Sequence, residues 1–148
     1  MGWESMMSKD MAISQIMQTE VHTLTADAKV SEARRLMREY GIHHLPIVDA
    51  AGQLLGIVSH TDLLTLGYDQ ELGGAASIDE FVDLNYALAD VMEDAVATLG
   101  SRRTLADAAE RLSTGSFHSL PVVDDGELVG IVTSTDLIRV LHEMLRED

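Results

Sequence analysis

The chain has 148 residues, a formal net charge of −15 and no cysteine. So acidic a chain lacks the basic face that nucleic-acid binding requires, which argues against DNA or RNA partners. Without thiols there is no disulfide framework, no thiolate metal site and no cysteine nucleophile. The apolar runs fall well short of a bilayer span. The start Met1-Gly2-Trp3-Glu4-Ser5-Met6 lacks the order of a signal peptide, and Met6 sits where a myristoylation motif wants Ser or Thr, so the expectation is a soluble cytoplasmic protein with no membrane contact.

In chain order, residues 1–11 read as a flexible leader, frayed to about Lys9, and Ala12 to Met17 as a short helix feeding a strand at Val21 to Leu24. Val30, Ala33, Leu36, Met37 and Tyr40 recur at helical spacing, and Gly41 stops that helix. Leu45 to Val48 and Leu54 to Val58 form a hairpin, and a second helix opens near Thr61-Asp62. Gly67 to Ser77 is rich in glycine and alanine, with Gly73-Gly74 as a mobile loop. Ile78 to Met92 then reads as one linker helix with Ile78, Phe81, Val82, Ala89 and Met92 on its apolar side. The order then repeats: a strand around Val96 to Leu99, a helix from Leu105 to Leu112, a hairpin through Leu120 to Val123 and Leu128 to Val132, and a final helix from Thr135. The turn Asp125-Gly126 has the residues of a type I′ turn, whose two central positions need positive φ.

The repetition is close to residue by residue. Gly41-Ile42-His43-His44-Leu45-Pro46-Ile47-Val48-Asp49, then Gly52 and Gly56-Ile57-Val58-Ser59-His60-Thr61-Asp62-Leu63, recurs as Ser116-Phe117-His118-Ser119-Leu120-Pro121-Val122-Val123-Asp124, Gly126 and Gly130-Ile131-Val132-Thr133-Ser134-Thr135-Asp136-Leu137. Upstream, Ile16-Met17 corresponds to Val91-Met92. Each copy alone would bury too little apolar surface to be comfortably stable, so the two form one module: repeat one over 12–68, a linker over 69–90 and repeat two over 91–148.

The doubled pattern Leu-Pro-Ile/Val-Val-Asp, a turn glycine, then Gly-Ile-Val-Ser/Thr-x-x-Asp-Leu resembles the cystathionine β-synthase (CBS) domain, and the tandem resembles the pair called a Bateman module. The likeness runs from about Ile16 to the C-terminus. It implies an α/β (α+β) fold of two pseudo-symmetric β-α-β-β-α repeats packed sheet to sheet. Adenosine-containing ligands (AMP, ADP, ATP, NAD or S-adenosylmethionine) are expected in two clefts between them. By that resemblance Asp62 and Asp136 take ribose hydroxyls, while Ser59 and Thr133 help hold phosphate, with Thr61 and Thr135 beside them. One cleft would combine Asp27, Ala28, Ala33, Ile42, His43 and His44 with Thr133, Thr135 and Asp136. The other would combine Arg102, Arg103, Ala108, Phe117, His118 and Ser119 with Ser59, Thr61 and Asp62. Arg102 and Arg103 stand where the first copy has Asp27 and Ala28, so a phosphorylated ligand is expected to prefer the arginine cleft. The other reading of that pair is a solvated loop. Some relatives carry an arginine at the positions of His44 and Ser119; its lack here disfavours a triphosphate.

The chemistry is sound without the family. An ionised carboxylate accepts two hydrogen bonds from a cis-diol, and a helix start offers free N–H groups to an anion. An aspartate ahead of a helical run is more often simply an N-cap, and capping would be duplicated as well, so the repetition does not remove that reading. His43 and His44 are neighbours on a strand and point to opposite faces, so a shared metal ion is not expected. Asp124-Asp125 reads as a solvated turn. No nucleophile elbow, P-loop, dinucleotide fingerprint or zinc motif is present, and the chain reads as no enzyme. The eight methionines read as packing residues. Two functions fit: a stand-alone, energy-sensing regulatory module that signals to an unknown protein partner, or a scaffold with vestigial clefts. A homodimer is expected in either case, because the last helix carries Leu137, Ile138, Val140, Leu141, Met144 and Leu145.

Overall fold

A computed structural model of the chain describes residues 9–68 and 75–146; most of the leader and the Gly73-Gly74 loop lie outside the described residues. The chain forms two compact units, His22–Val96, and Met1–Val21 together with Ala97–Asp148. Unit and sequence repeat are therefore offset. The segment ahead of each repeat's first strand packs with the hairpin of the other repeat: Gln18 bridges Ile131 and Glu93 bridges Ile57. The physical reason lies in the hairpins. Each ends in an edge strand with unpaired backbone groups, and a crossing segment covers it.

In the unit His22–Val96, β1 (Leu24–Thr25) pairs in parallel with β2 (His44–Val48), which pairs antiparallel with β3 (Leu54–Ser59). The strand expected at Val21 to Leu24 is thus shifted and short. Only Leu24 and Thr25 find partners, opposite Ile47 and Val48, while His22 stacks on Tyr40 at 3.9 Å. The helix α1 (Val30–Tyr40) turns Val30, Ala33 and Met37 onto Leu45, Ile47 and Val58, and Gly41 ends it at φ 64°. Lys29 gives α1 no side-chain cap. Asp83 supplies one from elsewhere, accepting from Ser31 N–H at 2.9 Å and from the Ser31 hydroxyl at 2.5 Å.

After β3 come α2 (His60–Leu63), a π-turn, α3 (Ala75–Asn85) and α4 (Leu88–Val91). The single helix expected over Ile78 to Met92 is broken, because Ala87 is extended and serves as the N-cap of α4, its N–H held by Asp90 at 3.1 Å. The break turns the second half: Val82 and Leu88 are buried, whereas Phe81 and Ala89, expected on the apolar side, are exposed.

In the other unit a 3-10 turn at Ile13–Gln15 precedes α5 (Leu105–Leu112), β4 (Ser119–Asp124), β5 (Glu127–Thr133) and α6 (Ser134–Arg146). The strand expected around Val96 to Leu99 reduces to one parallel bridge, Leu99 to Val122, the counterpart of Leu24 to Ile47. Thr104 caps α5 reciprocally with Asp107. Asp125 (φ 52°) and Gly126 (φ 83°) carry the positive φ pair required of the turn. Asp124 is more than a solvated turn residue. It accepts from Ser101 N–H at 3.0 Å and from the Ser101 hydroxyl at 2.6 Å, and these bonds hold its carboxyl below the ordinary carboxylate range.

Candidate functional site

Each hairpin delivers its Ser/Thr-x-x-Asp motif at the end of its second strand, where the chain turns into a helix. Ser59 is the N-cap of α2: its Oγ accepts from Asp62 N–H at 3.1 Å, and Asp62 Oδ2 accepts from Ser59 N–H at 2.9 Å. Thr133 and Asp136 repeat this at the start of α6, with bonds of 3.2 and 2.8 Å. The cap is therefore the hydroxyl residue and not the aspartate. The aspartate stands three residues later as the reciprocal half of a capping box, which commits one of its oxygens and fixes its direction. A backbone clamp fixes the turn in both copies: His60 N–H donates to His43 C=O at 2.8 Å, and Ser134 N–H to His118 C=O at 2.9 Å.

The two aspartates differ in everything else. Among the described residues nothing bonds to Asp62 Oδ1, and the side chain is half-buried. Asp136 is 5% exposed and both its oxygens are engaged: Oδ1 by Gln18 Nε2 at 2.9 Å and Arg139 Nη1 at 3.4 Å, Oδ2 by the Thr133 N–H and, at 3.0 Å, the Thr133 hydroxyl. Among the described residues, the hydroxyl donation that Thr133 makes to Asp136 has no counterpart from Ser59 to Asp62.

The remaining expected residues fall into one set per unit. Within His22–Val96, Asp27 is exposed and bonded by the Thr25 hydroxyl; Ala28 beside it edges a hollow of about 350 Å³. Ile42, His43 and His60 border a different hollow of about 310 Å³, with Arg34 and Arg38 on its rim. The two groups are thus not gathered in one hollow of this unit. His43 meets His60 edge-on at 5.8 Å, while His44 begins β2. Thr61 is exposed. In the other unit Arg102, Arg103, His118 and Thr135 are exposed, Phe117 packs against the core, and Ser119 is buried opposite Thr133 on the sheet. Ala33 and Ala108 are fully buried, each within the core of its own unit. No cluster among the described residues could hold a metal ion. No helix among them is long and apolar enough to cross a membrane.

Gln18 escaped the sequence reading. Its signal lay in the duplication, since it follows Met17 as Glu93 follows the matching Met92.

Comparison with known proteins agrees with this doubled architecture. Protein MJ1225 of Methanocaldococcus jannaschii is 34% identical over 129 residues, covering 87% of this chain; the chain spans 42% of that protein's length. CBSX2 of Arabidopsis thaliana, solved in complex with AMP, superposes with a TM-score of 0.76 at 28% identity, covering 91% of this chain and 98% of the other. The CBS domain pair of protein MJ0100, solved with 5′-methylthioadenosine and S-adenosyl-L-methionine, gives a TM-score of 0.73 at 25% identity over 90% of this chain and 97% of the other. The family description CBS domain matches residues 13–69 and 88–143, the two copies in which the capping-box aspartates were found, and the chain belongs to the CBS domain family.

Proposed function

We propose that this chain is a regulatory module, without catalytic activity of its own, that binds an adenosine-containing small molecule through Asp62 and Asp136 and passes the resulting change to a protein partner. The observation that carries the reading is Asp62. Its Oδ2 is committed to the Ser59 N–H while no described residue bonds Oδ1. A carboxylate so aimed by its own cap accepts a ribose hydroxyl without reorganising, which is the arrangement preorganised binding requires. The ligands of the CBSX2 and MJ0100 structures are of this class: AMP in one, 5′-methylthioadenosine and S-adenosyl-L-methionine in the other. Neither His44 nor the buried Ser119 supplies the bidentate contact an arginine gives phosphate, so AMP or an adenosyl thioether suits the residues better than ATP.

Thermal melts with AMP, ADP, ATP, NAD and S-adenosylmethionine test the proposal. A true ligand raises the midpoint in proportion to the logarithm of its concentration above Kd. A midpoint indifferent to all five would refute ligand binding and favour the scaffold.

A further inference from the structure

The same chain contains an internal comparison at its two aspartates. Gln18 and Glu93 occupy equivalent positions, each pinned by a pair of backbone hydrogen bonds to the middle of a hairpin's second strand. Gln18 N–H donates to Ile131 C=O at 2.9 Å and its C=O accepts from Ile131 N–H at 3.0 Å; Glu93 and Ile57 exchange the same two bonds at 2.9 Å. Each clamp lies two residues before the Ser/Thr of the motif. At this position one copy carries a primary amide and the other a carboxylate. The amide donates to Asp136 Oδ1 at 2.9 Å, whereas a carboxylate has no proton to give at neutral pH, and Asp62 Oδ1 receives nothing from a described residue.

We infer that Gln18 is a built-in competitor for Asp136. Its amide at 2.9 Å and the more distant Arg139 at 3.4 Å together take both lone pairs of Oδ1, the oxygen a ligand hydroxyl needs, so the Asp62 half-site binds first and the Asp136 half-site binds when the Gln18 amide lets go. The inference rests on the function proposed above and adds the residue that makes the half-sites unequal. A hydroxyl arriving at Asp62 gains a charge-assisted bond outright; one arriving at Asp136 exchanges one such bond for another, so its net gain is small. The exchange also has a structural consequence. Gln18 belongs to the segment carrying Ile13, which is fully buried in the core of that unit, so displacing the amide acts on an element anchored in the packing. Glu93 marks the opposite arrangement, a site where no described residue offers Oδ1 a donor to displace.

Calorimetric titration of the whole chain with adenosine, an uncharged cis-diol, tests this. In Asp62→Ala, where only Asp136 remains, adding Gln18→Ala or Gln18→Met should tighten adenosine about threefold to tenfold, the range expected for removing one partly exposed charge-assisted competitor. Gln18→Met retains the length of the side chain, and melts of both variants establish that they fold. In Asp136→Ala, Gln18→Ala should leave the affinity unchanged, while Glu93→Gln should weaken it by a similar factor by supplying the missing donor. If neither Gln18 variant alters affinity in Asp62→Ala, yet replacing both aspartates abolishes binding, the inference is overturned and the proposed function stands. Adenosine binding that survives loss of both aspartates, or no binding by the unmodified chain, overturns the proposed site together with the inference.

Discussion

Replacing the aspartates one at a time should expose their inequality without any ligand. In Asp62→Ala the loss is half of a capping box: the Ser59 N–H, held at 2.9 Å, turns to water. Such a loss costs about 1 kcal/mol. In Asp136→Ala the same half-box is lost with its 2.8 Å bond, and so are the Thr133 hydroxyl bond and the Gln18 amide bond at 2.9 Å. Each extra bond to the buried carboxylate adds about 1 kcal/mol when discounted for the exposed partner. Arg139 adds little, because its side chain is 72% exposed and solvent screens the 3.4 Å pair. Asp136→Ala should therefore destabilise by about 2 to 3 kcal/mol against about 1 kcal/mol for Asp62→Ala. For a chain of this size each kcal/mol moves the melting midpoint by about 2 to 4 °C, so the variants should separate clearly in circular-dichroism melts and in urea midpoints. Equal losses in the two variants would show that the contacts of Asp136 beyond its cap contribute nothing, and the reasoning about the two half-sites would fail.

Other outcomes follow from the same geometry. A methyl group at Gly130 would stand 2.6 Å from Met17 Sδ and 2.9 Å from Gln18 C=O, and one at Gly56 would stand 2.8 Å from both Met92 Sδ and Glu93 C=O. Gly130→Ala and Gly56→Ala should each destabilise by about 1 to 3 kcal/mol in denaturant titrations, because the backbone clamp must shift; unchanged midpoints would refute the close approach. On α6, Ile138, Leu141 and Leu145 are exposed at helical spacing, and light scattering at micromolar concentration should report a dimer that Leu141→Glu with Leu145→Glu dissociates; a monomer mass for the unmodified chain would refute this. The Asp124 carboxyl is held below its ordinary range first by the Ser101 hydroxyl and then by the Ser101 N–H, so its contribution is present above the unfolded pKa and is lost as pH falls through the folded one. Protection of the Ser101 amide, its exchange rate relative to the intrinsic rate at the same pH, should fall in that acidic window and be already low at neutral pH in Asp124→Ala; protection insensitive to both would show the tie to be inert.

The doubled hairpins, the helices that follow Val30 and Leu105, the glycine stop at Gly41 and the turn at Asp125-Gly126 were legible in the chain itself, because each depends on neighbours a few residues away. Apolar period, cap chemistry and the need for positive φ are local. The motif aspartates were also legible as a repeated pattern, but not their chemical state. That depends on what approaches them: a capping hydroxyl three residues back in both copies, and for Asp136 alone a glutamine 118 positions away in sequence. The short first strands, the break at Ala87 and the capping of α1 by Asp83 escaped for the same reason, since pairing partners and borrowed caps come from distant segments. Sequence determined that two equivalent Ser/Thr-x-x-Asp turns would be built. Which of them holds an uncommitted oxygen was decided by the tertiary crossing of the segment before each repeat, because a hydrogen bond is made by whichever donor the packing brings within 3 Å of the acceptor, about the reach of such a bond.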